Sequence, residues 1–223
     1  MTIAENIISI RSRIEQAARR AGKDPSGIKL VAVTKNTTPE QIIEAVKAGI
    51  TDIGENRIQD AEKRLETIKD LPVTRHMIGH LQTNKVKKAL ELFSVIQSVD
   101  SERLALEISN KAEKDIDIFI EVNTSGEESK YGVSPGEAEG LARYVSGLKR
   151  LKLKGLMTIG PLNGDDKAVR ESFRLLARLY GRIKGLNLPF IELEYLSMGM
   201  SRDFETAIEE GSNLVRIGTA IFQ

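Results

Sequence analysis

Short apolar runs alternate with stretches of helical periodicity along this whole chain, and that alternation leaves few folds open. The runs are Lys29–Lys35, Asp52–Glu55, Arg75–Gly79, Ser94–Ser98, Asp117–Val122, Leu153–Thr158, Tyr195–Ser197 and Leu214–Gly218. All are of strand length, and most are rich in β-branched or aromatic residues. Helical patterns fill the gaps. Ile3, Ile7, Ile10, Ile14, Ala17, Ala18 and Ala21 recur at helical spacing, with Gly22 as a stop. Thr38-Pro39-Glu40-Gln41 combines a cap, a proline at the first helical position and a capping-box glutamine, and Ser134-Pro135-Gly136-Glu137 has the same form. Further helices are expected over 58–68, 84–92, 101–114, 165–184 and 201–210. Eight strands alternating with helices read as an α/β fold, a single parallel (β/α)8 barrel of the TIM type, so residues 1–223 are taken as one domain. A helix comes first and none is expected after strand eight, which places the first helix over the seam that a final helix would cover. No linker, low-complexity tract or internal repeat marks a boundary.

Composition excludes several classes of function. The chain has 223 residues, a formal charge of +1 and no cysteine. A balanced charge offers no general attraction to nucleic acid or to an anionic membrane. Disulfides, thiolate catalysis and cysteine-based metal sites are ruled out. Glu5, Asn6, Arg11 and Arg13 interrupt the amino terminus, so it lacks the core of a signal peptide, and no apolar stretch reaches membrane-spanning length. The expectation is a soluble, cytoplasmic protein.

Lys35 is the residue that most directs the chemistry. Alternation puts Val31, Val33 and Lys35 on one strand face and Leu30, Ala32 and Thr34 on the other. That arrangement carries the lysine to the carboxyl end of a barrel strand, where such folds keep their active sites. A lysine there can lose its proton and attack a carbonyl. Strand seven runs into Ser197-Met198-Gly199-Met200-Ser201 and strand eight into Arg216-Ile217-Gly218-Thr219. Barrels commonly bind phosphate with these two loops, using glycine backbone N–H groups, hydroxyls and a helix amino terminus. Either segment alone reads better as an ordinary strand-to-helix turn; both at the two expected strands tip the balance.

A lysine and a phosphate site on one rim leave two chemistries open: a Schiff-base aldolase acting on a sugar phosphate, or pyridoxal 5′-phosphate (PLP) held as an internal aldimine. Arg216 shares a strand face with Leu214 and Gly218, so it would face the same ligand as the phosphate-binding glycine.

The segments Val31-Ala-Val-Thr-Lys35, Gly54-Glu-Asn56, His76-Met-Ile-Gly79 with Leu81-Gln82, Val122-Asn-Thr-Ser125, Gly155-Leu-Met157, Ser197-Met-Gly-Met-Ser201 and Arg216-Ile-Gly-Thr219 together resemble the pyridoxal phosphate homeostasis protein family, relatives of the barrel domain of alanine racemase. They span nearly the whole chain in order. The resemblance implies that Lys35 carries PLP, that Arg216 faces the pyridine nitrogen, that Ser197, Ser201, Gly218 and Thr219 hold the phosphate, and that Asn56 lies near the cofactor. Met77 stands where the family pattern leads one to expect Phe, a matter of packing rather than chemistry.

Racemase relatives carry a second, mainly β domain that lends a tyrosine to the opposite face of PLP across a dimer, and this chain ends at strand eight. An arginine at the ring nitrogen also disfavours a protonated pyridinium, which weakens the cofactor as an electron sink. The expected role is therefore PLP homeostasis or delivery without efficient turnover, as a monomer, with apo PLP-dependent enzymes as candidate recipients. A low-activity amino-acid racemase or transaminase is the rival, and the aldolase a more distant one. His76 and His80 lack the glutamate of a zinc helix motif and read as structural or loop residues. Lys85, Lys87 and Lys88 read as a solvated helix face, since no aromatic residues interleave for base stacking. The 124–132 segment is read as a loop over the rim, and whether it gates the site is left open by the sequence.

Overall fold

The computed structural model describes residues 1–162 and 164–223. Its strands are β1 (Lys29–Val33), β2 (Asp52–Glu55), β3 (Thr74–Met77), β4 (Val95–Val99), β5 (Ile116–Glu121), β6 (Leu151–Met157), β7 (Ile191–Ser197) and β8 (Leu214–Ile217). All neighbours pair in parallel, and β1 also pairs with β8, so the sheet closes into the expected barrel. The helices are α1 (Ile3–Arg20), α2 (Pro39–Lys47), α3 (Ile58–Thr67), α4 (Val86–Leu92), α5 (Glu102–Lys111), α6 (Ala138–Val145), α7 (Asp166–Lys184), α8 (Phe204–Glu209) and α9 (Thr219–Phe222). None among the described residues is long and apolar enough to cross a membrane.

Alternation along the strands builds two cores. Leu30, Ala32, Ile53, Ile96, Ile118, Ile120 and Leu156 face outward and pack with the helices, while Val31, Val95, Phe119, Met157 and Leu214 form a separate cluster inside the barrel. Phe119 stacks on Tyr195 there, with ring centroids 5.8 Å apart. Gly155 has no Cβ because one would meet the Tyr195 carbonyl oxygen at 2.6 Å.

Capping follows the sequence at Thr38, and the structure adds a second box at Thr2. Thr2 and Glu5 form a capping box on α1, and Thr38 and Gln41 form one on α2 with Pro39 in the first turn. At Ser134 the box does not open the helix. Glu137 accepts hydrogen bonds from the backbone and hydroxyl of Ser134, the four residues make a turn, and α6 begins only at Ala138.

Two expectations at the carboxyl end change. The helix expected from residue 201 begins at Phe204, because the Asp203 carboxylate accepts from the Met200 N–H and holds 201–203 as a turn. One helical turn, α9, follows β8, where no helix was expected. It is too short to cover a seam. α1 does so, packing on α8 and α9, and the buried Asn6 amide donates to the Ile221 carbonyl at 2.9 Å.

Candidate functional site

The carboxyl ends of the strands gather the residues singled out above. Lys35 lies two residues past the end of β1, just before Asn36, which takes a left-handed φ of 63°. It is exposed rather than enclosed by an apolar strand face. The turn at Asn36 carries the chain out of the ladder, so strand alternation stops short of the lysine. Thr34, the last residue before it, is fully buried: its hydroxyl donates to Glu55 Oε1 at 2.7 Å, and Glu55 forms a two-point ion pair with Arg64. This anchor fixes the backbone from which Lys35 projects.

Lys35 and Asn56 line one cavity of about 260 Å³, together with Asn36, Glu55, Arg57 and Asp60. Asn56 Oδ1 is buried and has no hydrogen-bond partner among the described residues. An unmet buried acceptor costs roughly 1–3 kcal/mol, which makes this atom a place for a ligand to donate. Gly79 lets the Asn56 backbone come this close, since a Cβ there would meet the Asn56 carbonyl oxygen at 2.1 Å.

The loops after β7 and β8 are stitched together. The Arg216 N–H donates to the Gly199 carbonyl at 3.0 Å, and the Ala220 N–H donates to Ser201 Oγ at 3.4 Å. Gly199 has φ 94°, and a Cβ there would come within 2.5 Å of the Ala207 Cβ, so both conformation and packing require glycine. Gly218 packs against Val33, two residues before Lys35 in the chain. Ser201, Gly218 and exposed Thr219 thus gather beside the end of β1.

Ser197 is placed differently. It is fully buried and points into the barrel, where its hydroxyl donates to Gln97 Oε1 at 2.7 Å and accepts from Arg216 Nη1 at 2.6 Å. Those two partners occupy the hydroxyl, and Gly199, Ser201, Gly218 and Thr219 lie in the loops beyond it. Sequence alone shows Ser197 next to a glycine-bearing loop; it does not show that this last strand residue still faces inward.

Arg216 is buried at the barrel mouth, and its Nη2 donates to the Thr158 carbonyl at 2.8 Å. Burial lowers its guanidinium to about 10, against the opposing charges of Glu121 and Asp203, so it stays cationic at neutral pH. Glu121, at the end of β5, was not singled out by the sequence reading. Burial, helped by Asp100, pushes its carboxyl up to about 7 although Arg216 pulls it down. The signal for it lay in the alternation of β5, which puts Glu121 on the inward face with Phe119.

The loop after β5 is pinned. Glu127 pairs with Lys130 at 3.0 Å and accepts from the Leu162 N–H, and the Tyr131 ring stacks on His80 with centroids 3.9 Å apart. His76 lies inside the barrel and His80 in the loop beyond β3.

Residues 6–223 match the family described as alanine racemase, N-terminal domain. The chain is 42% identical to the pyridoxal phosphate homeostasis protein of Aquifex aeolicus, across 100% of this chain and 98% of that protein. It is 36% identical to the protein of the same name from Escherichia coli, across 99% and 95%. PipY of Synechococcus elongatus PCC7942, solved with PLP bound, superposes with a TM-score of 0.87 at 32% identity, across 100% of both chains. Alanine racemase from Corynebacterium glutamicum shares the fold, with a TM-score of 0.77 at 16% identity, and this chain spans 60% of it. In sequence and in fold alike, the chain belongs to the pyridoxal phosphate homeostasis protein family, whose barrel is that of the alanine racemase N-terminal domain.

Proposed function

We propose that this chain binds PLP covalently at Lys35 and serves PLP homeostasis or delivery rather than efficient turnover, acting as a cytoplasmic monomer with apo PLP-dependent enzymes as recipients. The carrying observation is Arg216, a buried cation held by Ser197 and Thr158 at the same mouth as Lys35 and the glycine-bearing loops. The residues fit the group. The unmet Asn56 Oδ1 offers an acceptor beside Lys35, and the Gly199–Ser201 and Gly218–Thr219 turns offer backbone and hydroxyl donors suited to a phosphate. When bound, PLP supplies an aldehyde carbon for attachment and a ring able to take up electron density. Arg216 orients that ring and, as a fixed cation, opposes protonation of the ring nitrogen; an arginine there disfavours carbanion chemistry. Exposure of Lys35 leaves the attachment point open to water and to competing amines, which suits release.

A second reading, slow racemisation, draws on Glu121, a carboxyl near 7 at the mouth and so able to exchange a proton at neutral pH. One preparation tests both. The PLP-loaded protein, reduced with borohydride and mapped by peptide, should carry the pyridoxyl group on Lys35. A pyridoxyl group on another lysine, with Lys35→Ala still coloured, would remove the assignment. Added amino acids should exchange their α-proton with solvent deuterium only slowly. Racemisation at ordinary enzymatic rates, on the order of 1–10³ s⁻¹, would favour the enzyme.

A further inference from the structure

The barrel interior contains a polar line that the proposed chemistry does not itself require. Arg216 Nη1 donates to Ser197 Oγ at 2.6 Å, and the Ser197 hydroxyl donates to Gln97 Oε1 at 2.7 Å. Gln97 Nε2 lies 3.0 Å from His76 Nδ1, and His76 Nε2 lies 2.9 Å from Asp52 Oδ1. Lys29 Nζ closes the line on the same Asp52 oxygen at 3.2 Å. It runs from the mouth, where Arg216 sits, toward the amino end of β1, where Lys29 opens the strand.

The proton positions along this line are determined by its ends. Arginine only donates and an ionised aspartate only accepts. Although burial pushes the Asp52 carboxyl up, hydrogen bonds from His76 and Thr51 and the charge of Lys29 hold it at about 2, so it is ionised. His76 is buried, and burial lowers its imidazole despite Asp52, with Lys29 lowering it and Asp117 raising it from the flanks. A neutral His76 has one N–H. Asp52 requires that proton on Nε2, which leaves Nδ1 to accept from the Gln97 amide. The amide is then fixed with its oxygen toward Ser197, so the serine proton must point to Gln97. The serine lone pairs are thereby left for Arg216. Reversing the amide would require a doubly protonated His76 in the barrel interior, which burial opposes.

We propose that Gln97 and His76 are positioning residues for the candidate site: through the Ser197 hydroxyl they fix the orientation of Arg216, and so which of its N–H groups face the ring nitrogen of bound PLP. The inference rests on the reading of the mouth as a PLP site. A purely structural filler would not need these groups. The adjoining interior layer is apolar, and apolar side chains of similar volume fill a core at no desolvation cost.

The test uses the full-length PLP-loaded chain and two readouts, the position of the bound cofactor's visible band and the ¹⁵N shift of its labelled ring nitrogen. Gln97→Met keeps the volume and removes both hydrogen bonds; Ser197→Ala breaks the line at its next member. Each should move both readouts and weaken PLP binding by up to about tenfold, the usual net effect of losing one hydrogen bond. The double variant should be no worse than either single one, because both act on the same element. Additive effects, or a Gln97→Met chain that melts earlier with unchanged readouts, would overturn the inference while leaving the PLP reading intact. A wild-type chain that takes up no PLP would sink the reading of the mouth and this inference with it. Should Gln97→Met fail to fold, the ring ¹⁵N shifts of His76 in the wild-type protein still decide. A neutral ring protonated at Nε2 supports the line, and the Nδ1–H form or an imidazolium at neutral pH refutes it.

Discussion

Glu121 keeps its proton to about pH 7, where an ordinary glutamate has lost it. The folded barrel therefore binds this proton more tightly than the unfolded chain does. Stability from the group is complete below the unfolded value near 4.5 and is lost as pH rises through about 7. Above that, the ionised carboxylate destabilises the fold by up to about 3 kcal/mol. Buried His76 has the opposite sign: its folded value is depressed, so its contribution falls as pH drops below the ordinary imidazole value. Asp52, held at about 2, contributes above the ordinary aspartate range and loses that contribution only in strong acid. Glu121→Gln should therefore stabilise the protein at pH 8 by about 1–3 kcal/mol and change it little at pH 4, as read from denaturant midpoints across that range. A gain that is the same at both pH values would mean that the carboxyl is not held protonated by burial.

Among the elements, the junction of β7 and β8 is the most sparsely paired. β5 and β6 share six register pairs, from Ile116↔Leu151 to Glu121↔Met157, whereas β7 and β8 share one, Ser197↔Leu214. Side chains take over where the ladder is missing. The Asn213 carboxamide accepts from the Leu196 N–H and donates to the Glu194 carbonyl, both at 2.7 Å. The buried Ser212 hydroxyl lies within 3.1 Å of the carbonyls of Leu196, Met198 and Leu214. Asn213→Ala should cost about 1–3 kcal/mol and speed amide exchange along β7 more than along β5 or β6. Uniform loss of protection around the barrel would contradict a local role.

Elements of this kind were only partly legible in the sequence. Strand and helix order, the cap at Thr38 and the approach of the last two loops all follow from local patterns, so one sequence exposes them. The start of α8 depends on a side-chain contact between Asp203 and Met200, and the exposure of Lys35 on a left-handed turn at Asn36. Nothing in alternation encodes either. The inward turn of Ser197 is set by neighbouring strands far away in the chain, and so is the line through Gln97 and His76, whereas the inward face of Glu121 could be read from the alternation of β5. Polar residues at strand ends look alike until the sheet closes around them.

At the scale of the whole molecule, first and last elements depend on each other. β1 lies between β2 and β8 in register, with Val31 beside Arg216. α1 packs on α8 and α9, Arg13 and Arg20 pair with Glu205, and Arg20 also reaches Glu209. A chain leaving the ribosome makes Lys29–Val33 well before Leu214–Ile217. Until β8 has been made, β1 has one open edge and the apolar side of α1 lacks α9 to cover it. Such exposed edges and faces are what chaperones hold and what aggregates. The barrel should therefore become protease-resistant only after β8 has emerged from the exit tunnel. A stalled nascent chain truncated before Leu214 should be digested, and one carrying the whole sequence on a linker long enough to clear the tunnel should survive. Because β8 is made after β1–β7, Arg216 completes the mouth in the same step that closes the barrel, so a newly made chain gains its binding site and its fold together.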